Sequence, residues 1–253
     1  MTVTAYAARS EMTSPLWARA FVDGCGGTVA ERNELQPGDV ALFGSPVTWC
    51  LLQQAQQEGR TWYYGDHGYF GRHNAPIGGP GGKVYYRTTR NAYQHDGSGD
   101  GDAVRFARLG VPVKPWRMGG NHILLCPNSP GHFALHGGDC GRWIADTTAA
   151  LRKHTDREIK VRVKTAGTAF ADDLRGAWAV VVYTSACGFL AALEGVPCFA
   201  TAHCASGAFG STFLHRIESP HRPDNRYELA CVLAAHQWTA EEMRQGMAWE
   251  RLQ

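Results

Sequence analysis

The sequence has no stretch of about 18 consecutive apolar residues, so no conventional helical membrane span is expected. It opens Met-Thr-Val-Thr-Ala-Tyr, lacking the basic segment and apolar stretch of a secretory signal, and no leader peptide is expected. No two cysteines stand in Cys-x-x-Cys spacing, and the eight that occur (Cys25, Cys50, Cys126, Cys140, Cys187, Cys198, Cys204 and Cys231) are scattered. Most have apolar neighbours, which fits reduced, core-packed thiols of a cytoplasmic protein better than a disulfide framework. Cys198, His203 and Cys204 match no zinc-ligand spacing. Charge of one sign is also lacking: 25 Lys and Arg face 23 Asp and Glu. A near-neutral total neither demands nor excludes a polyanionic partner, because a basic stripe can hide inside it. Internal repeats are absent, and one glycine-rich loop is the only biased segment.

What is present is a core-forming chain of 253 residues, 44% hydrophobic, with eight Trp. That length suits one large domain or two of about 120 residues. Strands are expected at Thr2–Ala8, Thr28–Glu31, Val40–Phe43 and Thr61–Tyr64, with helices between them near Ser14–Asp23 and Val47–Glu58. This alternation indicates βαβ units and a parallel sheet. Gly65 to Gly101 breaks the pattern with a long glycine-rich loop, a strand over Lys83–Thr89 and a polar turn before a helix at Ala103–Leu109. A second α/β series follows: strands His122–Cys126 and Glu158–Val163, with a helix Asp139–Lys153 between them. The tail Asn225–Leu252 reads as two helices, the second opened by a capping box at Trp238-Thr-Ala-Glu-Glu242. The expected architecture is α/β with two Rossmann-like domains, 1–115 and 116–253, facing a central cleft, the last helices packing back on the first domain.

The segment Ala177–Gly210 carries the most information. Val180–Val182 is a buried strand, Thr184-Ser185 places hydroxyls at its carboxyl end, a helix runs over about Cys187–Glu194, and Gly195-Val-Pro197 introduces a second strand. Ligands of open α/β sheets bind beyond strand carboxyl ends. An ordinary βαβ connection would look the same.

Val163-Lys164, Asp173-Leu174, Trp178-Ala-Val-Val-Val-Tyr-Thr-Ser185, Gly188 and Glu194-Gly-Val-Pro197 together resemble the donor half of GT-B glycosyltransferases. The resemblance is to the Kdo-transferase-like proteins of capsule synthesis and to glycosyltransferase-like proteins of bacteriophages. With the phage proteins the chain is also similar at Trp62–Phe70, Tyr85-Tyr-Arg87, Asn91-Ala92, Gln94-His95 and Gln237-Trp238. About two thirds of the chain is covered. One departure stands out: Leu190 occupies the place where many such enzymes carry a ribose-binding Glu, and Glu194 is the nearest carboxylate.

The resemblance implies a nucleotide-sugar donor of the UDP or CMP class and no further cofactor. Donor contacts are expected from Thr184, Ser185, Gly188, Glu194, the Asn128-Ser129 loop with His132, and Arg162 with Lys164. The two cations share a strand face and can reach one phosphate, although Lys160, Arg162 and Lys164 also read as a solvated edge strand. Asp66 and His67, expected in a glycine-flanked loop after a strand, are candidate bases for the acceptor hydroxyl, with Glu11 as backup. No Asp-x-Asp pair falls at a strand end, so a metal-independent reaction is expected. An aromatic and basic belt (Tyr69, Phe70, Arg72, Arg87, Arg90, Tyr93 and His95) suits an acceptor. By analogy with phage enzymes this is 5-hydroxymethylpyrimidine in DNA; a capsule or lipopolysaccharide glycan predicts a similar belt. A non-catalytic nucleotide-binding module is the third reading.

Overall fold

A computed structural model describes residues 2–8, 13–31, 34–44, 48–71, 83–163 and 169–253. In chain order the elements are β1 (Val3–Tyr6), α1 (Thr13–Cys25), β2 (Thr28–Val29), β3 (Asp39–Phe43), α2 (Trp49–Gln57), β4 (Trp62–His67), β5 (Tyr85–Arg90) and α3 (Ala103–Leu109). Then follow β6 (His122–Cys126), α4 (Pro130–Leu135), α5 (Cys140–Arg152), β7 (Glu158–Val161), α6 (Phe170–Asp173), β8 (Ala177–Val182), α7 (Cys187–Leu193), β9 (Cys198–Ala200) and α8 (Ala205–Ala208). The chain closes with α9 (Arg226–Ala235), β10 (Gln237–Thr239), α10 (Ala240–Arg244) and α11 (Met247–Arg251). Met1–His95, Asp100–Val111 and Cys231–Gln253 form one compact unit; Asp96–Gly99 and Pro112–Ala230 form another.

The first unit holds a six-stranded sheet in the order β10-β5-β4-β3-β1-β2. Its β1, β2, β3 and β4 are parallel, and β5 and β10 run antiparallel to their neighbours. The all-parallel expectation therefore holds for the first four strands only. The tail also differs from the expected pair of helices, because β10 interposes between α9 and α10. Its Gln237 is fully buried, accepts the Phe70 N–H through Oε1 at 2.8 Å, and pairs with Arg87 across the sheet. A three-residue strand headed by a buried glutamine shows no apolar alternation, so its pattern is hidden in the sequence.

An aromatic core holds this unit together. Trp17 and Phe21 of α1 stack at 5.4 Å, and Trp249 of α11 packs on Phe21 and Tyr63 at 6.2 and 5.4 Å. The α1 helix can lie flat on the sheet because residue 65 is glycine: a Cβ there would sit 2.1 Å from the Trp17 indole. The indole N–H donates to Thr88 Oγ1 at 3.1 Å. The expected capping box forms, with the Glu242 N–H on Thr239 Oγ1 and the Thr239 N–H on the Glu242 carboxylate. Arg105 of α3 clamps the same carboxylate at 2.8 and 3.1 Å. Burial pushes the Glu242 carboxyl up, but the Arg105 and Thr239 hydrogen bonds outweigh it and hold the group below the usual carboxylate range.

The second unit is a parallel sheet in the order β7-β6-β8-β9. Every residue of β6 is buried, and β8 is buried but for the half-exposed Trp178. Strands covered on both faces read as continuous apolar runs, which is why this sheet is the more legible of the two. All eight cysteines are free thiols. Among the described residues no helix is long and apolar enough to cross a membrane.

Two outcomes are expected. Gly65→Ala forces the buried Trp17 off its site and lowers unfolding stability by about 1–3 kcal/mol in urea titration. Because the folded-state pKa of Glu242 is depressed, its contribution is complete above the unfolded value near 4.3 and is lost as pH falls through the folded one. Glu242→Gln should therefore flatten the acid limb of the stability profile while lowering stability at neutral pH.

Candidate functional site

In the second unit the carboxyl ends of β6 and β8 lie side by side, Cys126 in register with Val182. The residues just beyond them meet. Asn128 Oδ1 accepts the Thr184 backbone N–H at 3.1 Å, and His132 Nε2 lies 2.8 Å from Thr184 Oγ1. Ser129 caps α4 by accepting the His132 N–H at 3.3 Å, which brings the imidazole to face Thr184. Asn128, Ser129, His132 and Thr184, four of the expected donor contacts, thus form one cluster. Ser185 adjoins it, accepting the Cys187 N–H on its Oγ at 3.3 Å.

Half-buried rings that the sequence reading did not single out stand beside this cluster. Tyr183 stacks on Phe133 at 4.7 Å, His136 lies 4.7 Å from His132, and Trp143 donates to Thr201 Oγ1 at 2.8 Å. Burial holds the His136 imidazole below its ordinary pKa, favouring the neutral ring. The Cys126 thiol is hydrogen-bonded to Cys187 and buried; both effects push it up and keep it protonated. For His136 alone a signal existed, since it stands four residues after His132 and closes the helix that carries His132.

The remaining expected donor contacts have other partners. Arg162 Nε binds Asp173 Oδ2 at 2.5 Å, so its charge is already neutralised within the unit. Glu194 accepts Lys114 Nζ at 2.6 Å and faces Arg117 at 3.8 Å, tying down the segment before β6. Gly188 serves helix packing, since a Cβ would meet Ser206 Cβ at 2.6 Å. Lys164 lies outside the described residues.

In the first unit β4 extends three residues further than expected, so Asp66 and His67 are strand residues paired with Arg87 and Tyr86. Asp66 Oδ2 binds Arg87 at 2.5 Å and Oδ1 accepts the His67 N–H at 2.7 Å. With both oxygens engaged, Asp66 is a poor proton acceptor and a good structural counter-ion. His67 is half-buried at the strand's carboxyl end, its ring edge-on to Phe43 at 5.6 Å. Glu11 lies outside the described residues.

Three of the seven belt residues expected to form an acceptor surface are interior, which corrects the reading for those three. Tyr69, Phe70 and Arg87 are buried, as are Tyr85 and Tyr86. Tyr69 accepts the His95 N–H at 2.8 Å, Phe70 packs on Phe106 at 5.5 Å, and Arg87 lies over the Tyr69 ring. Tyr93 packs between Trp62 and Tyr64, His95 stacks on His236 at 3.7 Å, and Arg90 is exposed, donating to Leu252 O. Arg72 lies outside the described residues. Among the described residues no group of three or more His, Cys, Asp or Glu is placed to hold a metal ion.

No protein-family model matches the chain, and no curated protein sequence does. Solved structures do. The chain is similar to a Thermosulfurimonas dismutans KpsC structure described as a β-Kdo 2,7 transferase, with a TM-score of 0.57 and 13% identity over 99% of this chain and 100% of that one. It is also similar to the KpsC β-Kdo 2,4 transferase of the same organism, with a TM-score of 0.54 and 16% identity over 94% and 91% of the two chains. At such identities the likeness establishes the fold: the mixed α/β architecture is GT-B-like, as the motifs of the donor half implied.

The two ends of the Asp66–Arg87 pair are unequally buried, with side-chain exposures of 30% and 5%. Asp66→Ala strands a buried guanidinium and should cost about 3 kcal/mol. Arg87→Met leaves a carboxylate that can turn to water and should cost about 1–2 kcal/mol. Denaturant titration of the two variants checks that order.

Proposed function

We propose that the protein is a glycosyltransferase that moves a sugar, Kdo or a relative of it, from a nucleotide donor to a hydroxyl of a glycan. The observation that carries the reading is the Asn128–His132–Thr184 cluster, placed beyond adjacent strand ends of a fold shared with two Kdo transferases. In the reaction the acceptor C–O–H oxygen forms a bond to the anomeric carbon, the bond from that carbon to the donor phosphate breaks, and the nucleotide leaves as an anion. The Thr184–His132 pair offers an O–H or a ring N–H to that developing charge, where fixed dipoles are most effective. Tyr183, His136 and Trp143 offer ring faces to a nucleobase. His67 takes the acceptor proton, since Asp66 is committed to Arg87.

Hydroxymethylpyrimidine DNA is the second acceptor reading. It rests on the exposed Arg90 near the Tyr93 and His95 rings, having lost Tyr69, Phe70 and Arg87 to the core. Both readings are tested by one mass-spectrometric panel. CMP- and UDP-sugars, CMP-Kdo among them, are offered with capsule oligosaccharides, hydroxymethylcytosine DNA and hydroxymethyluracil DNA. We expect a Kdo mass increment on the oligosaccharide. His132→Ala should lower kcat/KM by about 10²-fold, and His67→Gln should lower kcat by about 10²–10⁴-fold. A sugar increment on DNA alone would favour the second reading. Thermal stabilisation by a nucleotide sugar without transfer to any acceptor would instead indicate a binding module, and absence of both signals would sink the proposal.

A further inference from the structure

The β7 strand forms an open edge of the second unit's sheet. Among the described residues no strand pairs with its outer side. The Arg162 N–H donates to Leu125 O at 2.8 Å, so Arg162, and with it Lys160 and Glu158, point their backbone groups at β6. Backbone direction alternates along a strand, so the N–H and C=O groups of Ile159 and Val161 point outward. Val161 is 47% exposed, and Val163, just past the strand, is 45% exposed. Glu158 and Lys160 share the opposite face, their charged groups 3.4 Å apart.

Natural edges are commonly blunted by lysine, because a charge without a counterpart repels an incoming strand. Here the charge has a counterpart in the chain's own pattern. From Asp156 the sequence runs Asp-Arg-Glu-Ile-Lys-Val-Arg to Arg162. When two copies pair antiparallel, opposed residues must share backbone direction, so the two-fold axis falls on a residue and not between two. An axis at Lys160 opposes two lysines, and one at Val161 opposes Lys160 to Arg162. An axis at Ile159 opposes Glu158 to Lys160 of the second copy, twice. In that register Ile159 supplies a hydrogen-bonded pair with its own copy. The Glu158–Lys160 pairs fall at the sites without backbone bonds, where side chains approach most closely.

We infer that β7 is a self-association edge, through which two copies of this chain join antiparallel about a two-fold axis at Ile159. The contact is isologous and closes at two copies, since each protomer has one such edge. A strand of four residues makes few backbone bonds, so the dimer is weak and concentration-dependent.

The test is analytical ultracentrifugation of the full chain from about 1 µM to about 1 mM, spanning the range of weak association. We expect reversible dimerisation that weakens as salt is raised. Ile159→Pro deletes one outward N–H, a change that edge strands tolerate, and should abolish the dimer while the circular dichroism spectrum stays native. Lys160→Glu should weaken association by about tenfold or more, by setting like charges opposite one another. The double exchange Glu158→Lys with Lys160→Glu should restore it. That pair of variants keeps the test decisive even where the proline variant does not fold. A wild-type chain that stays monomeric throughout, a folded Ile159→Pro variant that dimerises normally, or a double exchange that fails to restore association overturns the inference.

Discussion

A parallel strand buried on both faces can offer polar chemistry only beyond its ends, and the rest of this structure follows from that constraint. In the second unit β6 and β8 are almost wholly apolar, so the first polar side chains past their carboxyl ends are Asn128 and Thr184. Those two lie adjacent because the strands are, and the Asn128–Thr184 hydrogen bond is a direct consequence of the Cys126–Val182 register. The α4 helix then has one task in the site, which is to start at Ser129 and so aim His132 at Thr184. A one-residue slip between β6 and β8 would part Thr184 from both Asn128 and His132.

A second constraint explains why Arg87 and Arg162, two of the cations expected to bind ligand, are already matched within the fold. A guanidinium taken out of water is costly to desolvate unless an anion or a ring accompanies it. Arg87 has Asp66 and the Tyr69 ring; Arg162 has Asp173 and the Phe170 ring. Each pair joins neighbouring pieces of backbone, β4 to β5 in one case and the end of β7 to α6 in the other. Glu194, with Lys114 and Arg117, repeats the device outside the sheet. Composition alone gives no way to distinguish a cation awaiting phosphate from one already matched, because the matching residue is distant in sequence: 21 positions for Arg87 and 11 for Arg162.

What was legible in the sequence is therefore what depends on local periodicity. Most strands and helices fall within a few residues of their expected bounds, α3 at its expected residues, and the Thr239–Glu242 capping box forms as read. The polar cluster was legible for the same reason, since Asn128-Ser129 and Thr184-Ser185 each follow a buried run. The direction and partner of a strand were not. β5 carries Tyr-Tyr-Arg-Thr-Thr-Arg, in which the basic and aromatic residues read as a binding surface. Placed between β4 and β10 it is an interior strand, and its first five residues are buried. β10 itself had no readable pattern, so nothing in the sequence warned that β5 would be covered on that side.

Leu190 shows how a departure from a family pattern can be read physically. It lies on α7, a helix of seven residues whose remaining positions are mostly buried against β8, β9 and α8. A carboxylate at 190 would serve a ribose only if the nucleotide lay along that helix. The polar groups the chain does supply are on the β6 side of Thr184, with Tyr183, His136 and Trp143 continuing in that direction. Glu194, one turn further along, is no substitute: its ion pairs with Lys114 and Arg117 hold it to the segment that leads into β6.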